Sequence, residues 1–148
     1  MRFVRRVSSG NNRLHRAPAG GATAIRTTVN VMKRDPRLAQ LSREHHTALR
    51  VGRRLLEGGA SAVLGAEQDA LAAHFAEEEA RFVPLLRERG EAALAERLLR
   101  EHAALRGLFA DAARGEREAE TGQALIDHVR FEERELFPII EGLLQAAP

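Results

Sequence analysis

Two stretches of this chain spell one pattern, and few folds can accommodate it. In residues 74–86 and again in residues 128–140, a histidine is followed four residues later by a pair of glutamates and ten residues later by a proline and two aliphatics. On an α-helix, positions i and i+4 lie on the same face, one turn apart. His74 with Glu78, and His128 with Glu132, therefore each aim an imidazole and a carboxylate at one point. Such a pair is a metal-ligating geometry, and its occurrence twice requires helices that face each other.

The remaining sequence supports an all-α fold, an antiparallel up-down-up-down four-helix bundle. Alanine, leucine, glutamate and arginine dominate, and strand formers are scarce. Asp35 and Pro36 suit the N-cap and first position of helix one, with Leu38, Leu41, Leu49, Leu55 and Leu56 as its stripe and Gly58-Gly59 as its end. Ser61 is placed to cap helix two, whose stripe includes Leu64, Leu71, His74, Phe75, Glu78, Phe82 and Leu85. Pro84 should kink it near its end. Helix three spans about 91–114 with Leu94, Leu98, His102, Leu105 and Phe109. Helix four spans about 116–144 with Leu125, His128, Phe131, Glu132, Leu136 and Ile139. Short loops force neighbours to run antiparallel.

Each half of the chain contributes a lone histidine and then a histidine–glutamate pair, which suggests a pseudo-twofold arrangement. His102 is the lone histidine of the second half. In the first half it is His45 or His46. Helical spacing puts His45 on the leucine stripe, whereas His46-x-x-Leu49-Arg50 matches His102-x-x-Leu105-Arg106, and that match favours His46. With no cysteine in the chain, thiolate sites and disulfides are excluded, so a metal must be held by nitrogen and oxygen. Four histidines would supply terminal ligands to two ions, and Glu78 and Glu132 would bridge them. Two divalent ions against two carboxylates favour an oxo- or hydroxo-bridged di-iron pair, with Zn, Mn or Cu possible on donor type. Glu44, Glu79, Glu101 and Glu133 are close enough in sequence to orient the imidazoles. For Glu79, Glu133 and Glu135 a solvated face is the simpler expectation, and for the phenylalanines it is core packing.

This order of a histidine, HxxxE, a histidine and HxxxE, with Phe-Val-Pro-Leu-Leu and Leu-Phe-Pro-Ile-Ile behind the glutamates, resembles the hemerythrin-like HHE cation-binding domain family over about residues 35–144. The resemblance implies a non-haem di-iron site that binds dioxygen or related small molecules. Carried over, its ligands are the helix-one histidine, His74, Glu78, His102, His128 and Glu132. Oxygen-carrying hemerythrins differ in having HxxxH on the third helix, where His102 is followed by Arg106, and an aspartate where this chain has Glu132. A missing histidine leaves a coordination position for water and weakens the case for reversible oxygen carriage. Ferritin-like proteins, with a glutamate three residues before a histidine, match less well.

Residues 1–34 carry seven arginines, one lysine and no acid, so the remaining 114 residues hold 15 basic against 21 acidic side chains. The body is acidic, and the basic stretch is expected to be a disordered tail or to lie upstream of a start at Met32. It has neither the apolar segment of a secretory signal nor interleaved tyrosines or tryptophans to stack on bases. The expectation is a cytoplasmic metal-binding protein, monomer or homodimer, whose partner is a small diatomic ligand or peroxide, without nucleic acid or membrane. A di-iron enzyme consuming peroxide or reducing nitric oxide, and a zinc or apo helical interaction module, are the alternatives. His15, in the tail, has no claim to the site.

Overall fold

The computed structural model describes residues 33–146. The expectations for the basic tail, for Met32 and for His15 lie outside the described residues. Four long helical rods follow one another: α1 (Ala39–Glu57), α2 (Ser61–Glu88), α3 (Ala92–Ala113) and a final rod. That last rod is not one regular helix. It runs as α4 (Glu118–Phe131), a π-helical segment (Glu132–Leu136) and α5 (Phe137–Gln145).

Local chemistry sets the ends of these rods. α2 and α3 both stop at a glycine in the left-handed region, Gly90 at φ 84° and Gly115 at φ 78°. In each case the next residue folds its amide back onto the last turn, Glu91 to Leu86 O at 2.7 Å and Glu116 to Asp111 O at 3.0 Å. A side chain would strain both positions, so glycine ends the helix and turns the chain back. Asp35 does not cap α1 directly. Its carboxylate accepts the Arg37 amide at 2.9 Å and caps a turn that precedes the helix, which itself begins at Ala39. Ser61 is the first residue of α2 and makes no capping hydrogen bond, so the expected cap is corrected. α2 continues through Pro84 for another turn to Glu88.

Two apolar clusters form the interior. One contains Val51, Leu55, Leu64, Leu71, Phe75, Leu105, Phe109, Leu125 and Val129. The other contains Leu38, Leu41, Phe82, Leu86, Leu98, Phe131, Leu136, Phe137 and Ile140. Along every rod a buried polar residue lies between the two: His45 between Leu41 and Ala48, Glu78 between Phe75 and Phe82, His102 between Leu98 and Leu105, Glu132 between Val129 and Leu136. The core is thus cut by a polar layer. Leu56 and Ile139, expected on the buried stripes, are 42% and 39% exposed, because Leu55 and Ile140 next to them take the inward positions. Among the described residues no helix is long and apolar enough to cross a membrane.

α1 and α4 approach most closely where Gly52 faces Gly122. A Cβ on Gly122 would lie 2.5 Å from the Gly52 carbonyl oxygen and 2.9 Å from the Leu56 amide, both backbone atoms that cannot step aside. Gly122→Ala is therefore expected to destabilise the bundle by about 1–3 kcal/mol, the usual cost of overpacking. Gly65→Ala, in open space on α2, should be neutral or stabilising by up to about 1 kcal/mol through helix propensity. Chemical denaturation of the two variants checks the contrast.

Candidate metal centre

Each rod contributes to the polar layer from the face that also carries its apolar stripe, so burial of the stripe forces burial of the ionisable groups. His45, His74, His102 and His128 are at most 5% exposed, and Glu78 and Glu132 are fully buried. Every imidazole uses Nδ1 outward, as a donor to a carboxylate at the bundle surface. His45 meets Glu133 at 2.7 Å, His74 meets Glu44 at 2.8 Å, His102 meets Glu79 at 2.8 Å and His128 meets Glu101 at 2.7 Å. A proton held on Nδ1 leaves Nε2 with its lone pair directed inward.

The inward atoms converge. Glu132 reaches His45 Nε2 with one oxygen at 3.0 Å and His128 Nε2 with the other at 2.8 Å. Glu78 likewise reaches His74 Nε2 and His102 Nε2, one oxygen each, both at 3.3 Å. Both carboxylates thus straddle two groups of donors, His45 with His74 and His102 with His128. Within each group of two histidines and two glutamates, the ligand atoms lie within 4.8 Å of one another.

None of these short approaches is aligned as a hydrogen bond. All four Nε2 atoms and all four oxygens of Glu78 and Glu132 are buried without a partner. An unsatisfied buried polar atom costs about 1–3 kcal/mol, so eight together would cost roughly 8–24 kcal/mol, as much as or more than the whole stability of a typical domain. A cation shared by each group removes that cost, and an all nitrogen and oxygen donor set suits Fe, Mn or Zn. The residues present fit a pair of bound metal ions.

Protons are the competing occupant. Burial disfavours charge on His45, but Glu132, Glu133 and Glu78 around it prevail and raise its pKa from 6.5 to about 11. His128 is raised in the same way to about 9, burial being outweighed by Glu132 and Glu101. His74 and His102 move in the same direction, opposed by burial and driven by the buried glutamates. Burial also opposes charge on Glu133, but His45, Ser42 and Arg34 lower it to about 2.

The preference for His46 is corrected. His46 is exposed, whereas His45 is buried and its ring stacks on Phe137 at 5.2 Å. Adjacent helical residues point about 100° apart, so only one of the two can face the core. The signal that identifies His45 is the repeated dipeptide Glu44-His45 and Glu101-His102, whose members occupy equivalent places. His74, Glu78, His102, His128 and Glu132 all lie where the helical spacing puts them. The solvated reading of Glu79 and Glu133 is also corrected, because each holds an imidazole, while Glu135 is exposed and pairs with Arg97 at 3.0 Å. Phe75 packs in the core as expected, with its ring stacked on His102 at 4.2 Å. Arg106 turns outward to Glu79 at 2.8 Å, so α3 offers one imidazole to the centre. Arg34 and Ser42 brace Glu133 from far along the chain, where no sequence spacing connects them, whereas Arg97 stands one turn before Glu101 on α3.

Comparison with known proteins adds one finding. The model of the hemerythrin HHE cation binding domain matches residues 37–140. No curated protein and no solved structure matches the chain.

Metal and protons compete for the same imidazoles, so cation binding is expected to release protons and to tighten as pH rises from 6 to 8. Calorimetric titration in buffers of different ionisation enthalpy measures the number released. The metal-free protein should follow the opposite course. With its pKa raised on folding from 6.5 to about 9, His128 contributes stability that is complete below the lower value and lost as pH rises through the higher. Thermal unfolding between pH 6 and 10 checks that fall.

Proposed function

The chain belongs to the hemerythrin HHE cation-binding family, and from that premise we propose that it holds a non-haem di-iron centre that binds or senses dioxygen, nitric oxide or peroxide, or handles iron itself. One observation carries the reading: eight unpartnered buried donor atoms divide into two groups that share both carboxylates, which is the arrangement two adjacent ions need. His45 and His74 would hold one ion, His102 and His128 the other, with Glu78 and Glu132 spanning both. Iron supplies redox chemistry toward small oxygen and nitrogen ligands. Zinc and manganese share the donor preference, and are distinguished by metal analysis rather than by donor type.

The chain's own residues do three things in this reading. Glu44, Glu79, Glu101 and Glu133 fix the tautomer and direction of each imidazole, which strengthens it as a donor. Phe75, Phe131 and Phe137 pack against the ligand rings and exclude water. The two buried carboxylates neutralise half of the charge of two divalent ions, so an anionic or polarisable small ligand is favoured. The proposed setting is the cytoplasm.

A second reading, turnover of peroxide or reduction of nitric oxide, is favoured by Arg106. It stands one turn beyond His102 and is drawn away to Glu79, so α3 would offer a bound ion one imidazole and no second ligand, which would leave a coordination position to water or a reactant. Steady-state peroxide consumption measured against single-turnover oxygen binding separates the two.

The chain has no tryptophan or tyrosine, so ligand-to-metal bands in the near ultraviolet stand clear of protein absorption. Iron-loaded protein is expected to contain two irons per chain and to show those bands. His74→Ala and His128→Ala should abolish them, and His46→Ala should leave them intact. Equal loss in all three variants would overturn the ligand assignment.

A further inference from the structure

The four outer carboxylates are equivalent by repeat but not by anchorage. Glu79 is tied to Arg106 at 2.8 Å, Glu101 to Arg97 at 2.7 Å, and Glu133 to Arg34 and to Ser42 Oγ at 2.5 Å. Among the described residues Glu44 has no arginine. Its second partner is the Gln40 amide at 2.6 Å. The other three carboxylates each pair with a guanidinium, with charge on both partners, whereas the Gln40 amide brings none, so Glu44 is the carboxylate most easily displaced. It is also the most exposed, with 37% of its side chain accessible against 25% for Glu79, 29% for Glu101 and 28% for Glu133.

Glu44 stands in the wall of a cavity of about 340 Å³ between α1 and α2, which Glu67, Glu77, Thr47, Leu71 and His74 complete. The cavity ends on the His74 ring, whose Nε2 is one of the unpartnered atoms of the centre. Glu67 and Glu77 pair with Arg50 and Arg81, neither of which lines the cavity. The equivalent cavity between α3 and α4, about 240 Å³, reaches His128 but has Arg97 in its wall. Arg97 is pinned there by Glu101 and Glu135, and its guanidinium lies 3.7 Å from the centre of the Phe131 ring. A cation meets Glu44, Glu67 and Glu77 with no arginine in the wall on one side, and Glu101 and Asp127 with Arg97 among them on the other.

We infer that metal ions enter and leave the centre between α1 and α2, past Glu44, so that the His45–His74 position exchanges its ion while the His102–His128 position retains it. This rests on the dinuclear reading proposed above. It makes the domain a holder of one resident and one exchangeable ion, a division that suits delivery or sensing of a divalent cation.

Cobalt(II), whose visible bands report its ligands, tests the inference without any assay of activity. Metal-free protein is mixed with Co²⁺ in a stopped-flow instrument, and loaded protein with excess chelator. Two ions should bind per chain and leave in two phases of equal amplitude. Glu44→Gln should accelerate the fast phase alone, and Arg97→Gln the slow phase alone. The surface double variant Glu67→Gln/Glu77→Gln should slow uptake about 3-fold or more at low salt, with the difference vanishing at high salt and thermal unfolding unchanged. Two ions leaving in a single phase, Glu44→Gln acting on the slow phase, or wild-type uptake by the double variant would each overturn the inference and leave the dinuclear reading standing. Fewer than two cobalt ions per chain would remove that reading and this inference with it.

Discussion

Six ionisable side chains packed into an apolar interior are the constraint from which the other features follow. Buried carboxylates and imidazoles are tolerated only when their charges and lone pairs are matched. Here the outer half of each imidazole is matched by a glutamate and the inner half is directed at a shared space. Glu78 and Glu132, each with one oxygen toward either group of histidines, make that space double. The apolar clusters above and below seal it, and their continuity along each rod aligns the four polar positions at one level of the bundle.

The outer glutamates show how a repeat in sequence becomes a symmetric site with unsymmetric surroundings. Within a half, the histidine and glutamate of a pair are related by helical spacing, while the lone histidine stands on the neighbouring rod. The carboxylates that orient them cross between rods: Glu133 of the last rod serves His45 of the first, and Glu79 of α2 serves His102 of α3. Beyond those glutamates the repeat keeps its positions but not its chemistry: Gln40 and Arg97 stand four residues before Glu44 and Glu101. Arginines brace three of the glutamates and a glutamine the fourth, so equivalent histidines are held by carboxylates with different freedom to move.

Backbone geometry serves the same site. The rod carrying His128 and Glu132 changes from α to π winding from Glu132 onward, and π segments recur at functional sites because they redirect side chains within a continuous helix. In this segment Glu132 faces the centre while Glu133 reaches back to His45. α1 and α4 can stand close enough for that contact because Gly52 and Gly122 remove the side chains between them. Distant glycines and the metal ligands are therefore parts of one arrangement.

The all-helical bundle was legible in the sequence, as were His74, Glu78, His128 and Glu132, because an i, i+4 pair beside an apolar stripe is a local property of one helix. His102 was legible through the same stripe. For His45 and His46 the sequence carried competing signals, the leucine stripe and the Glu-His repeat for the first and the match to His102-x-x-Leu105-Arg106 for the second, and packing against the last rod decides which faces inward. Nor could spacing show that Glu79 and Glu133 turn toward imidazoles rather than water, that Arg106 is drawn off the site, or that Glu44 lacks the arginine its three counterparts have. Apart from Gln40–Glu44 and Arg97–Glu101, one turn apart on their own helices, those are contacts between residues far apart in the chain. They exist only once four rods are set side by side, which is why the helices could be read from the sequence and the surroundings of the buried histidines could not.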